Sequence, residues 1–329
     1  MIRKIIKQGH NTSTITLPSE WIKRFNLKSG SEVDVIEKDN GLFITTEKNG
    51  EKKRTEFDIT GMDIPTIWKN FMAVYREGYD EVLVKFNPDM RLENPYKFIT
   101  QHRIDLKHGK EPEKRSIVSV LQDFVNRFIG FEIIEHGRDF ILIREMGELT
   151  SKEFDNSLRR VFLIIQDMAK ETFEAIKENK PKILSYMHDV DINVDKFHDY
   201  CIRILNKTSN KESRKSELLF SSLYLLELIG DEFKNISQHL LQDFPEAKFN
   251  NTKELAEATK QEFDLYYDLF YKFNKDKVRE ISNIDKEVYI KVPKMYKKAS
   301  EDEKELFHHL RMIGRYINAL VELRIEMEY

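Results

Sequence analysis

From Thr150 to the last residue, apolar side chains recur at alternating steps of three and four, and no strand-like alternation competes with them. A stretch of that period buries one stripe of each helix against its neighbours, so more than half of the chain is constrained to a helical bundle. Ile183, Met187, Val190, Val194, Phe197, Cys201 and Ile204 form one such seam. Leu219, Ser222, Leu226, Ile229, Phe233, Ile236 and Leu240 form another. Capping-box spacing at Thr150–Glu153, Asn251–Glu254 and Ser300–Glu303 marks three helix starts. Breaks at Pro181, Ser209 to Ser213, Pro245 and Pro293 divide the region into about six helices. The stretch LELIGDEFKNI (Leu226–Ile236) returns 84 residues later as LRMIGRYINAL (Leu310–Leu320). This repeat predicts tandem three-helix bundles over residues 150–247 and 248–329.

The two copies differ where chemistry can sit. Glu227 and Asp231 of the first become Arg311 and Arg315 of the second. Acids four residues apart share a helix face, about 6 Å apart, and can grip a hard cation together. Asp191 and Asp195 repeat that spacing one helix earlier, each directly following a seam residue, which predicts a place at the wet edge of the apolar stripe. Together the four carboxylates form a candidate metal set for Mg or Mn, and His198 beside them shifts the preference toward Fe or Zn. In the second bundle, Arg311 and Arg315 either pair with Asp285 or hold an anion such as phosphate. Cys201 lies on the apolar seam and is expected to be a buried packing residue. Asp195-x-x-His198 and Glu305-x-x-His308 fall in different bundles, which argues against a di-iron core.

Upstream, the rhythm changes twice. Residues 1–50 read as short strands, Ile2 to Ile6 and Thr14 to Leu17, then a helix from Pro18 through Phe25 stopped by Gly30. A hairpin follows across Asp39-Asn40-Gly41. A unit this small buries little of its own surface and calls for a second copy. Residues 51–149 read as an α+β domain after the charged junction Glu51–Arg54. Its helices lie near Ile64–Arg76 and Ile117–Phe128, and its strands near Glu81–Phe86, Phe131–Glu135 and Phe140–Ile143. Between Asn87 and Arg115 a long loop or insertion is expected.

Charged residues are 34% of the 329, yet the net charge is −3, so attraction to a polyanion must be local. Residues 1–30 supply it, with six basic residues against the single acid Glu20. Arg3, Lys4, Lys7, Lys23 and Arg24 are candidates for phosphate contacts, and the polar turn His10, Asn11, Thr12 and Ser13 for base edges. One cysteine excludes an internal disulfide framework, and no apolar run reaches membrane-span length, which together predict a cytoplasmic protein. No nucleophile, poised acid–base pair or phosphate-cradling glycine loop accompanies the carboxylates, so an enzyme is not expected.

Lys4 to Thr46 resembles the AbrB/MazE/SpoVT swapped-hairpin DNA-binding domains, through Thr16-Leu17-Pro18-Ser19-Glu20-Trp21 and Leu27-Lys28-Ser29-Gly30-Ser31-Glu32-Val33. The helical region resembles the phosphate-uptake regulator PhoU, in Asp191-x-x-x-Asp195, Glu227-x-x-x-Asp231, Leu228-Ile229-Gly230-Asp231 and Asn235-Ile236. Together these resemblances imply an archaeal PhoU-type regulator: a multidomain, mainly α chain with a small β head, an α+β middle and tandem PhoU-like bundles. They imply interlaced homodimerisation through the head, DNA binding in phosphate homeostasis, and metal binding in the first bundle only. The alternative they allow is an adaptor that does not bind DNA and docks on a signalling kinase or transporter ATPase.

Overall fold

The computed structural model describes residues 2–8, 12–38, 41–45, 52–93, 114–147, 150–208, 214–243 and 252–329. The chain divides into two compact units, Met1–Lys53 and Arg54–Tyr329.

In the first unit β1 (Ile6–Gln8) pairs antiparallel with β2 (Thr12–Thr14), Ile6 lying opposite Thr14. The helix α1 (Ser19–Arg24) follows, and then β3 (Asp34–Lys38) pairs with β4 (Gly41–Thr45). The first two strands sit closer to their turn than the β-branched runs predict. Ile2–Ile5 and Ile15–Leu17 belong to no strand and have none beside them among the described residues, and a ladder needs a neighbour. After α1 it is Asn26, at φ 51°, that turns left-handed, ahead of Gly30. No residue of this unit whose side chain is described is buried: Ile2 is 97% exposed and Leu42 66%, and Ile5, Ile6, Phe25 and Val35 are exposed too.

The second unit opens with an α+β layer. Its sheet runs β5 (Arg54–Asp58), β6 (Glu81–Lys85), β10 (Phe140–Glu145), β9 (Phe131–His136), with β5 and β6 parallel and the other neighbours antiparallel. The parallel pair is joined through α2 (Ile64–Arg76), capped by Asp63, which accepts from the Thr66 N–H. The second helix of the layer, α3 (Ile117–Asn126), is capped by Ser116. Trp68 and Phe71 of α2 meet Phe124 of α3 edge-on, while Trp68 and Tyr75 stack on Phe128. Strand β5 falls where a junction is expected. Its charged residues Arg54, Glu56 and Asp58 are exposed and alternate with half-buried Thr55 and Phe57, which is an edge strand's pattern. The insertion begins and ends as a short hairpin, β7 (Arg91–Glu93) against β8 (Lys114–Ser116), and residues 94–113 between them lie outside the described ones.

Six long helices complete the unit. They are α4 (Ser151–Glu178), α5 (Met187–Thr208), α6 (Arg214–Gln238), α7 (Lys253–Tyr271), α8 (Lys275–Tyr296) and α9 (Glu301–Glu326). Both capping boxes within the described residues form, at Thr150–Glu153 and Ser300–Glu303. Asn251 lies outside them, and Thr252 at the start of α7 makes no side-chain cap. Pro293 does not break the chain but sits inside α8, near its end, where few helical bonds are lost. The interruption comes earlier, before Asn274, whose side chain caps α8 by accepting from the Asp276 N–H. Packing does not separate two trios. α4 packs on α7 and α6 on α9, while α7 also packs on α9. These four make a shared inner core, flanked by α5 through α4 and α6, and by α8 chiefly through α7.

Candidate functional site

The basic residues of the head are placed for solvent. Arg3, Lys4 and Lys7 lie along the first extended segment, and Lys23 and Arg24 close the last turn of α1, all exposed. Thr12 and Ser13 are exposed on β2, while His10 and Asn11 fall outside the described residues. None of the five basic side chains is tied to an acid among the described residues, so their charge is available to a polyanion.

The four carboxylates expected to form a metal set do meet, but around cations of the chain itself. Lys234 donates to Asp191 Oδ2 at 2.7 Å and also to Asp231, bridging α5 and α6. Arg127, at the end of α3, holds Asp195 Oδ2 at 3.0 Å. Among the described residues no group of three His, Cys, Asp or Glu side chains is arranged to hold a metal. The Lys234 ammonium stands between Asp191 and Asp231, where a metal shared by those two acids would have to sit. Nor is Asp191 at a wet edge, since it is 2% exposed, with Oδ1 buried and unpaired beside Gly230. A β-carbon at Gly230 would come 3.2 Å from Val194 Cγ1, so the glycine is what lets α6 close on α5. Burial raises the Asp191 carboxyl against the pull of Lys234, and burial with Asp231 pushes Glu227 up to about 7. Burial, then Asp191, raises Asp195 as well, although water tempers this at a side chain 30% exposed.

The charged spacing on α5 does not stop at Asp195. Asp191, Asp195, Asp199, Arg203 and Lys207 follow one another at steps of four, and this stripe joins α5 to the α+β layer. Arg76 of α2 reaches Asp199 at 2.6 and 2.8 Å and the Tyr224 hydroxyl at 3.2 Å. Arg203, 0% exposed, donates to the carbonyls of Tyr75 (2.6 Å) and Tyr79 (2.8 Å) and to Glu145 (3.0 Å). Its guanidinium also lies over the rings of Tyr75 and Phe131, at 4.9 and 4.8 Å. Lys207 reaches Asp80 and Glu145. His198 is buried here, with Nδ1 3.2 Å from Asp199 and its ring edge-on to Tyr224. Arg76, Arg127, Asp199, Arg203 and Lys234 are the residues that motif reading misses. Extending the four-residue step past Asp195 finds the α5 members, and Asp231-x-x-Lys234 is itself a same-face pair.

In the second bundle, Asp285, Arg311 and Arg315 line one cleft of about 1220 Å³ between α8 and α9. Of the two alternatives for this set, the ion pair is not seen among the described residues, where neither arginine bridges Asp285 or another acid. The cleft exists because α9 closes on α7 rather than α8. Gly314 faces Glu262 of α7, whose Oε2 lies 3.4 Å from where a β-carbon would stand. Cys201 is buried, near the Phe154 carbonyl, and burial pushes its thiol well up, as a packing residue requires.

Residues 6–52 match the family model described as antidote-toxin recognition MazE, bacterial antitoxin. No curated protein and no solved structure matches the chain. No described helix is long and apolar enough to cross a membrane. The match stops at the head and leaves Arg54–Tyr329 unassigned; at the N-terminus it supports a swapped-hairpin head of the MazE/AbrB type.

Proposed function

We propose that the chain is a homodimeric regulator that binds DNA through its head, while Arg54–Tyr329 responds to an effector. One observation carries this: a head in which no side chain among the described residues is buried, with Ile2, Ile5, Ile6, Phe25, Val35 and Leu42 exposed, and six basic residues against one acid in its first 30. Such a unit completes its core only with a second copy, and two copies double the basic surface. The match to a MazE model supports the same architecture. Regulation of phosphate uptake is the finer proposal, supported by the PhoU resemblance of α4–α9 and by the repeat carried on α6 and α9. Selection of DNA ligands from a random pool by the full chain, followed by titration in salt, tests the DNA claim. Affinity should fall steeply with salt, with a log–log slope of about −0.9 per phosphate contacted. It should also drop when Lys23 and Arg24 become alanine. A flat salt response in a stable dimer, with retention of a transporter ATPase, kinase or protein toxin instead, would make the chain an adaptor or antitoxin.

A further inference from the structure

We infer that the cleft between α8 and α9 binds a small two-ended ligand: an amine, amidine or nucleobase-type N–H edge at its floor and a phosphate or carboxylate at its rim. The floor is Glu262, 3% exposed, with Oε1 buried and without a hydrogen-bond partner among the described residues. An orphaned acceptor is costly and is satisfied most simply by a donor from a ligand. Its neighbour Thr259 cannot supply one, because its hydroxyl donates to the Leu255 carbonyl. At the rim, Arg311 and Arg315 stand one turn apart, exposed and without an acid partner among the described residues. Two guanidiniums at that spacing suit an oxyanion.

The charged groups facing Glu262 across the cleft are Asp285 of α8, Lys297 just past its end, and Arg311, Arg315 and Glu322 of α9. A bare anion meets the acids, and a bare cation meets the arginines; a molecule carrying both charges, or an anion with an N–H edge, meets neither penalty. At about 1220 Å³ the cleft has room for a nucleotide as well as for a small aminophosphate. The site stands apart from the head's DNA affinity and is measured separately.

Calorimetry on the full chain tests it, with guanosine and cytidine monophosphate, phosphoethanolamine, inorganic phosphate and ethylamine as probes. At least one two-ended probe should bind tenfold or more tightly than phosphate or ethylamine alone, and which one identifies the source. Burial, then Asp285, pushes Glu262 up to about 8, so it is protonated at pH 7. A donor arriving at the floor favours the carboxylate, and binding should release up to one proton, read from two buffers of different ionisation enthalpy. Glu262→Gln should abolish that release and weaken binding about tenfold. The double variant Arg311→Ala/Arg315→Ala should weaken binding similarly yet keep the release at saturation. The site is overturned if no two-ended probe binds, if phosphate alone binds equally well, or if both variants bind as the parent does.

Discussion

Two helix faces that share one repeated stretch of sequence have been finished in opposite ways. On α6, Gly230 lets the helix close on α5, and the acids there are met by Lys234 and by arginines from the α+β layer. On α9, Gly314 faces α7 instead, α8 stands apart, and Arg311 and Arg315 look into an open cleft. The repeat shows the exchange residue by residue: Glu227, Asp231 and Lys234 give way to Arg311, Arg315 and Asn318. Where the first face carries both an acid cluster and its counter-ion, the second carries guanidiniums with no acid partner among the described residues, and no lysine. One of the two faces thus joins parts of the protein, and the other opens on a cleft.

The sharpest way to break this contrast is Arg203→Leu, which removes a fully buried guanidinium from two carbonyls and Glu145. It should cost about 3–5 kcal/mol in urea denaturation, as loss of one partner of a buried charge does. A loss under 1 kcal/mol would show that the joint is not a structural one. Next is Lys234→Met, which leaves Asp191 and Asp231 facing each other and should cost about 2–3 kcal/mol at pH 8. The sign with pH is definite: losing the ammonium raises Asp191 further, so the folded state holds more protons and stability falls as pH rises. The variant should therefore approach the parent near pH 5, and an equal deficit at both pH values argues against the bridge.

Glu262→Gln should act in the opposite sense. A carboxyl raised to about 8 when folded takes up protons between its unfolded and folded pKa, so the parent loses stability as pH climbs through that window. The glutamine variant should be more stable at pH 8 by about 2 kcal/mol, a rise of roughly 4–8 °C in Tm, and level with the parent near pH 4. A variant less stable at pH 8 would mean the carboxylate has a partner. Smallest of all, Arg311→Ala and Arg315→Ala should each stay within about 0.5 kcal/mol in the same assay. A larger loss would make the cleft's arginines structural and erase the difference between the two faces.

Much of this fold is legible as period and punctuation. The three-and-four seams place the long helices, Thr150 and Ser300 start two of them, and the swing from Gly78 into Glu81–Lys85 follows from a left-handed glycine at φ 81°. What is not legible is partnership across sequence distance. Nothing local to Asp195 announces that Arg127 will hold it, and nothing in Pro293 says that α8 will tolerate it. The repeat is plain in the sequence, but which helix each glycine leans on depends on packing among all six. The charged stripe of α5 was readable in half: its first two acids match a metal motif, and its last two members, Arg203 and Lys207, show that the stripe serves a joint.

The outward apolar side chains of the head also set a dose. If its core is completed only by a second chain, folding of Met1–Lys53 is a bimolecular equilibrium, and the fraction of finished heads rises with the amount of protein present. At low concentration few heads are complete, and doubling the amount of chain more than doubles the completed heads until pairing saturates. In dilution experiments the melting of the head should shift with concentration, while that of Arg54–Tyr329 should not.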